Sequence, residues 1–159
     1  MWDRNYLETA VDGLISYKNC CFFHSDTEDY TPWLQIDLKE IHFVFKIEVF
    51  NRQDSNLYDF EYIQVCFYFE RIFENCKHSD YHLKARVGND DANGIFHSVL
   101  TINTDCGTTG LGPDDALFLC PNGTRGRFVT VQRTRVEYDI LRYYLYVNEV
   151  KIHVAAKNS

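Results

Sequence analysis

Several patterns that would place the chain quickly in a protein class are missing from its sequence. No apolar run approaches the roughly 20 residues that a membrane-spanning helix needs. Basic residues are also few, because 16 Lys and Arg stand against 23 Asp and Glu, for a net charge of −7. A general polyanion-binding surface is therefore not expected. These absences argue against a membrane span and against nucleic acid as the main partner.

Motifs for common enzymatic and metal chemistry are missing as well. None of the six cysteines belongs to a C-x-x-C pair, so the usual zinc and thioredoxin spacings are absent. There is no phosphate-binding Gly-rich loop and no zinc-binding helix motif. Cys21 and His24 are close in sequence, but residues three apart on a strand point to opposite faces, which disfavours a catalytic dyad. We therefore expect a binding protein and not an enzyme.

What the sequence does contain suits one extracellular domain. Its 159 residues, 45% of them hydrophobic, can build a single core, and no repeat or low-complexity linker divides them. Six cysteines favour disulfides, and Asn122-Gly123-Thr124 is a glycosylation sequon, which is consistent with secretion. The N-terminal residues lack a signal-like apolar stretch. We expect a secreted chain whose leader is not included in this sequence, and the alternative is an intracellular protein.

Alternating apolar residues predict β-strands over residues 41–50, 127–134 and 143–154. Gly, Asn and Asp clusters predict turns at 88–94, 103–115 and 121–126, and helical periodicity is scarce. The chain is therefore expected to be all-β, a sandwich or jelly roll with little helix. In the first strand the residues predicted to share the core face are Ile41, Phe43, Phe45, Ile47 and Val49.

Six short motifs follow one another along the chain: Ala10-Val11-Asp12-Gly13, Pro32-Trp33-Leu34-Gln35-Ile36-Asp37-Leu38, Asn51-Arg52-Gln53-Asp54, Arg86-Val87-Gly88-Asn89, Gly126-Arg127-Phe128-Val129, and Val147-Asn148-Glu149-Val150. Their order resembles that of the F-type lectins, or fucolectins. The resemblance extends across most of the chain. It implies a discoidin-like β-sandwich formed by residues 1–159 as one domain, in which residues 55–69 are a candidate insertion.

The resemblance also implies a site for terminal L-fucose. In the family a His, an Arg-x-Asp segment and a second basic residue bind the sugar. The family spacing after Asp54 reaches Asp59, which has the wrong charge, so Arg71 in Glu70-Arg71-Ile72 is the better match. An aromatic wall would complete the site. The implied sugar-binding residues are His24, Arg52, Asp54, Arg71 and Tyr17.

A structural calcium ion beside the sugar loop is a further implication of the resemblance. Asp12 and Glu149 match the carboxylate positions, and the carbonyls of Thr9 and Asn19 are candidates for additional ligands. Two distant carboxylates suit a hard cation that prefers oxygen. The alternative interpretation is that Asp12 caps a turn and Glu149 lies on the surface.

The resemblance pairs Cys106 with Cys120 and leaves the partners of Cys20, Cys21, Cys66 and Cys76 open. The expected partners are fucosylated glycans, and weak single-site binding favours a homo-oligomer or a tandem array. A role in innate defence or adhesion would follow. Two rivals are a discoidin-like domain that binds lipid or protein through loop-tip aromatics such as Phe22 and Phe23, and a fragment of an enzyme. We expect Trp33 in the core.

Overall fold

A computed structural model describes residues 8–15, 23–25, 32–50, 81–91, 102–111, 115–134 and 145–156. These residues form one 3-10 helix, Glu8–Val11, and eight strands. None of the helical structure among them is long and apolar enough to cross a membrane. The all-β architecture expected from the sequence is confirmed. The strands are β1 (Phe23–His24), β2 (Trp33–Phe50), β3 (Tyr81–Gly88), β4 (Thr104–Leu111), β5 (Ala116–Leu119), β6 (Arg125–Thr134), β7 (Tyr146–Val147) and β8 (Glu149–Val154).

The long strand β2 belongs to both layers of the sandwich. Residues 33–37 and 42–43 pair antiparallel with β6, whereas residues 46–49 pair with β5 on one side and β8 on the other. The register shifts between Asp37 and His42, and within this shift Lys39 has a φ of 69°. Its backbone N–H donates to Asp37 Oδ1 at 2.8 Å, which stabilises the turn-like conformation. A bulged strand that changes partners carries the chain from one sheet to the other.

A disulfide joins the two outermost strands of the sheet. The strands run in the order β4-β3-β6-β2-β5, with β8 also paired to β2. Cys106 in β4 bonds to Cys120, which directly follows β5, and their Cα atoms lie 4.2 Å apart. The sheet must therefore curl until its ends meet. The predicted Cys106–Cys120 pairing is confirmed.

The prediction of a turn over residues 103–115 is wrong for most of its length. Residues 104–111 form β4, which pairs with β3 along its whole length. The register shifts between Ala85, which pairs with Gly107, and Arg86, which pairs with Asp105. Cys106 is therefore the extra residue of β4. Gly107 has a φ of 114°. The glycine that indicated a turn instead permits a β-bulge.

The core lies between the two layers and combines one face of each. From the first layer come Leu34 of β2, Val129 and Val131 of β6, and three residues of β3. From the second come pairs that stand opposite each other in register, such as Ile47 with Phe118 and Val49 with Ala116. Both layers thus alternate between core-facing and outward residues. The β3 contribution is Leu83, Ala85 and Val87.

The predicted core face of residues 41–50 is correct only at its C-terminal end. Ile47 and Val49 are buried, but Ile41, Phe43 and Phe45 are each about half exposed. The pairing of β2 with β8 shifts register between Val44 and Lys46, so Phe45 is the extra residue of a bulge. A one-residue shift reverses which face a side chain takes. Phe45 therefore lies outside, beside the His153 ring at a centroid distance of 6.0 Å.

Candidate functional site

Asp12 and Glu149 meet at one end of the sandwich, although 137 positions separate them in sequence. Asp12 and Gly13 follow the 3-10 helix, and Glu149 is the first residue of β8. The backbone N–H of Gly13 donates to both carboxylate oxygens of Glu149, at 3.2 and 3.3 Å. Asp12 Oδ1 accepts the N–H of Leu14 at 2.8 Å, which closes the turn. The loop at residues 12–14 is thus held against the beginning of β8.

The electrostatics of this junction are set by the buried carboxyl group of Glu149. Glu149 is only 3% exposed, and burial raises the pKa of its carboxyl group. The negative charge of Asp12 raises that pKa further, while the backbone N–H groups of Gly13 and Asp12 and the positive charge of Lys151 lower it. The exposed carboxylate of Asp12 and the buried carboxylate of Glu149 offer only oxygen donors. This donor chemistry fits Ca²⁺, which prefers carboxylate and carbonyl oxygens.

The remaining implied calcium ligands are only partly described. Thr9 lies in the 3-10 helix that precedes Asp12, so its carbonyl belongs to the same short segment. Asn19 falls outside the described residues. Among the described residues, no cluster of three or more His, Cys, Asp or Glu side chains could hold a metal. Within that part of the chain, a cation at Asp12 and Glu149 would need backbone carbonyls, or the side-chain oxygens of Asn, Gln, Ser or Thr, as its other protein ligands.

The strand that carries His24 and the end of β2 are attached to one short segment, residues 145–149. His24 pairs with Tyr146, and Ser25 exchanges two hydrogen bonds with Leu145, at 3.1 and 2.9 Å. At the other side of this segment, Phe50 pairs with Glu149 and its carbonyl accepts the Asn148 N–H at 2.9 Å. Three peptide steps span at most about 11 Å. The backbone of His24 and the end of β2 therefore lie at the same end of the sandwich.

Arg52 follows Phe50, the last residue of β2, by two positions in sequence. Arg52, Asp54, Arg71 and Tyr17 themselves lie outside the described residues, as does the 55–69 segment. Sequence reasoning missed the part played by residues 145–149 as the shared support. The strand signal over 143–154 was the available hint, but periodicity does not indicate which strands a segment will join.

The sequence motifs that contain Asp37, Asn89 and Arg127 meet around the first half of β2 and not at residues 145–149. Val87 pairs with Val129, and the Arg127 N–H donates to Asn89 Oδ1 at 3.2 Å. The Arg127 guanidinium binds Asp37 through two parallel hydrogen bonds, at 2.7 and 2.8 Å. Hydrogen bonding to Arg127 holds the pKa of the Asp37 carboxyl far below its usual range. These motifs therefore fasten β2, β3 and β6 together.

The position of Trp33 differs from expectation, and that of Phe23 differs from what the rival function requires. Trp33 is not in the core: it is half-buried and lines a shallow surface cleft together with Arg127 and Phe128. It pairs with Gln132, and this face of the sheet is polar, which explains why Trp33 is outside the core. Phe23 is buried within the core cluster instead of standing at a loop tip. Phe22 lies outside the described residues.

No protein-family model matches the chain, and no curated protein sequence matches it. Solved structures do match it. A fucolectin from the serum of striped bass (Morone saxatilis) superposes with a TM-score of 0.62 at 23% identity, over 94% of this chain. The chain has the discoidin-like fold of the F-type lectins. It spans 41% of the length of the striped bass protein.

Two further structures with this discoidin-like fold are similar over nearly the whole chain. The lectin domain of lectinolysin, solved with Lewis b antigen, has a TM-score of 0.56 at 18% identity and covers 94% of this chain and 84% of its own. A fucose-binding module of Streptococcus pneumoniae has a TM-score of 0.56 at 16% identity, covering 97% of this chain and 89% of its own. The likeness is one of fold.

Proposed function

We propose that the chain is a carbohydrate-binding lectin domain that recognises terminal L-fucose on glycans without chemical turnover. The observation that carries the proposal is the shared support at residues 145–149, to which both the His24 strand and the end of β2 are attached. The discoidin-like fold is also the fold of the fucolectin and of the fucose-binding module described above. Both observations favour a sugar site at this end of the sandwich.

The chemistry of the proposed site follows from its side chains. His24 would hydrogen-bond one sugar hydroxyl, and the guanidinium groups of Arg52 and Arg71 would each address adjacent oxygens through their planar set of donors. Asp54 would orient Arg52, and Tyr17 would cover the apolar face and methyl group of fucose. Each hydrogen bond contributes only about 0.5–1.5 kcal/mol net in water. Single sites of this kind bind weakly, so we propose multivalent presentation by a homo-oligomer or tandem array.

A calcium ion would stabilise the fold beside the proposed sugar site. Asp12 and Glu149 would hold the ion, and the ion would neutralise their mutual repulsion and fix the 12–14 loop against β8. An extracellular location suits this arrangement because disulfides persist there, and a role in recognition of foreign or cellular glycans would follow. The rival function is lipid or protein binding through loop-tip aromatics. Phe23 is not available for such contacts because its side chain is buried.

A glycan array with and without a calcium chelator tests the proposed function. We expect retention of glycans with terminal fucose, competition by free L-fucose, and weaker binding in chelator. Arg52→Ala should abolish binding, while Arg125→Ala, an exposed arginine at the beginning of β6, should leave it unchanged. Binding without preference for fucose, or equal binding by the Arg52→Ala variant, would contradict the assignment.

A further inference from the structure

The turn between β5 and β6 carries the sequon Asn122-Gly123-Thr124, and the sequence contains no second N-x-S/T site. Residues 121–123 are exposed. Thr124, in contrast, is 5% exposed, and both its hydroxyl and its backbone N–H donate to the Pro121 carbonyl, at 2.7 and 3.1 Å. Gly123 has a φ of 81°, which reverses the chain. The turn thus projects Asn122 from the surface while Thr124 anchors it.

This turn is seated on the part of β2 where large apolar side chains are exposed. The Cys120 N–H donates to the Phe45 carbonyl, and the Val44 N–H donates to the Thr124 carbonyl, each at 3.0 Å. Leu119 directly precedes Cys120, Phe43 and Phe45 flank Val44 on β2, and Leu117 stands opposite Glu48 two positions farther along β5. We call this surface the apolar patch: Phe43 (52% exposed), Phe45 (51%), Leu117 (51%) and Leu119 (68%).

The apolar patch lies within reach of any group attached to Asn122. Asn122 is two residues from Cys120 and two from Thr124, so its Cα lies within about 8 Å of the Cα atoms of these two residues, each of which hydrogen-bonds to β2. Phe43 stands opposite Arg125 in the ladder, with the guanidinium 5.7 Å from its ring centroid. The ion-paired Lys46 and Glu48 stand opposite the two leucines, but several large apolar side chains exposed within one small region favour association. An N-linked glycan is bulky and solubilising.

We propose that Asn122 carries an N-linked glycan and that this glycan covers the apolar patch, which keeps this face of the domain from self-association. The proposal rests on the extracellular location proposed above but not on sugar binding. In the transfer, the Asn122 amide nitrogen bonds to the anomeric carbon of an oligosaccharide carried on a polyprenyl pyrophosphate. The bond between that carbon and the pyrophosphate oxygen breaks, and the amide nitrogen loses one proton.

The first test is occupancy of Asn122 in protein secreted from eukaryotic cells behind an added leader. Peptide-N-glycosidase treatment should reduce the mass of the wild type by that of one glycan. Thr124→Ser is the matched control, because it keeps the sequon and the hydroxyl that bonds Pro121, and it should remain glycosylated. Asn122→Gln should have no glycan. Secreted wild-type protein without a glycan at Asn122 would overturn the proposal.

The second test is whether the glycan covers the apolar patch. Folded wild-type protein, deglycosylated by the enzyme, should bind more of an apolar fluorescent dye and should associate in sedimentation into a larger species than the glycosylated protein forms. Asn122→Gln, which has no glycan, should behave like the deglycosylated wild type in both measurements. The double variant Asn122→Gln/Leu119→Ser should bind less dye and associate less. Unchanged dye binding and an unchanged sedimentation coefficient after deglycosylation would refute the covering role. Loss of L-fucose binding by fully glycosylated protein would defeat the proposed function but leave this proposal standing.

Discussion

Gly126→Ala tests whether the backbones of β3 and β6 must approach as closely as they do. A Cβ at position 126 would lie 2.5 Å from both the N and O atoms of Gly88, whereas carbon contacts are optimal at about 3.5–4.0 Å. The strand would have to move by about 1 Å. β6 pairs with β2 on one side and β3 on the other, so such a shift strains both ladders.

The expected loss of stability follows from that geometry. Overpacking costs typically about 1–3 kcal/mol, and we expect the upper half of this range because the contact is with backbone. For a domain of this size each kcal/mol lowers Tm by about 2–4 °C, so Gly126→Ala should melt about 4–12 °C below wild type by calorimetry. A Tm within about 1 °C of wild type would refute the reasoning, since the ladders would then tolerate a wider spacing.

Gly123 provides the matched control for this experiment. Its φ of 81° lies in the left-handed region, but a Cβ there meets nothing within 4 Å. The strain is therefore conformational, and Gly123→Asn should be better tolerated than Gly123→Ala because Asn adopts this region more readily. At position 126 the order of stabilities should reverse: Gly126→Asn should be less stable than Gly126→Ala, because the larger side chain has less room beside Gly88. The same order at both positions would contradict a steric cause at Gly126.

Three further predictions concern calcium, acid and the disulfide. A calcium concentration 100-fold above Kd would stabilise the fold by about 2.7 kcal/mol, so a chelator should lower the Tm of the wild type in calorimetry but not that of Glu149→Gln. An equal wild-type Tm with calcium and with chelator would contradict the calcium site. Arg127 lowers the pKa of Asp37, so this ion pair contributes fully to the free energy of unfolding above the ordinary carboxyl pKa and loses that contribution as the pH falls toward the pKa of Asp37 in the folded protein. Asp37→Asn should therefore flatten the acid side of a plot of urea midpoint against pH. An unchanged slope would contradict this role of the ion pair. The Cys106→Ser/Cys120→Ser double variant should lose about 3 kcal/mol in urea denaturation, and a loss below about 1 kcal/mol would show that the loop is constrained by other contacts.

Strand positions were predictable from the sequence because alternation with a period of two survives wherever one face is buried. The segments 127–134 and 41–50 lie within β6 and β2 for this reason. Alternation does not reveal bulges, however. Phe45 falls on the wrong face because one extra residue resets the pattern, and Gly107 indicated a turn although it lies in a paired strand.

The candidate site was less accessible to sequence reasoning. The approach of Asp12 to Glu149 depends on contacts between distant parts of the chain, and it was anticipated only through the resemblance to F-type lectins. Local patterns also misplaced Trp33, because they do not show that its face of the sheet is lined by Gln35 and Asp37. The sugar-binding roles of His24, Arg52, Asp54, Arg71 and Tyr17 stay predictions.

The most direct test of fucose recognition at the residue 145–149 end is a titration of L-fucose followed by backbone amide NMR. We expect saturable shifts at His24, at Phe50 and along residues 145–149, and no comparable shifts around the Trp33 cleft. The Arg52→Ala variant should lose these shifts while its other amide signals stay in place. Absence of saturable shifts in the wild type, or shifts confined to the Trp33 cleft, would contradict a fucose site at this end of the sandwich.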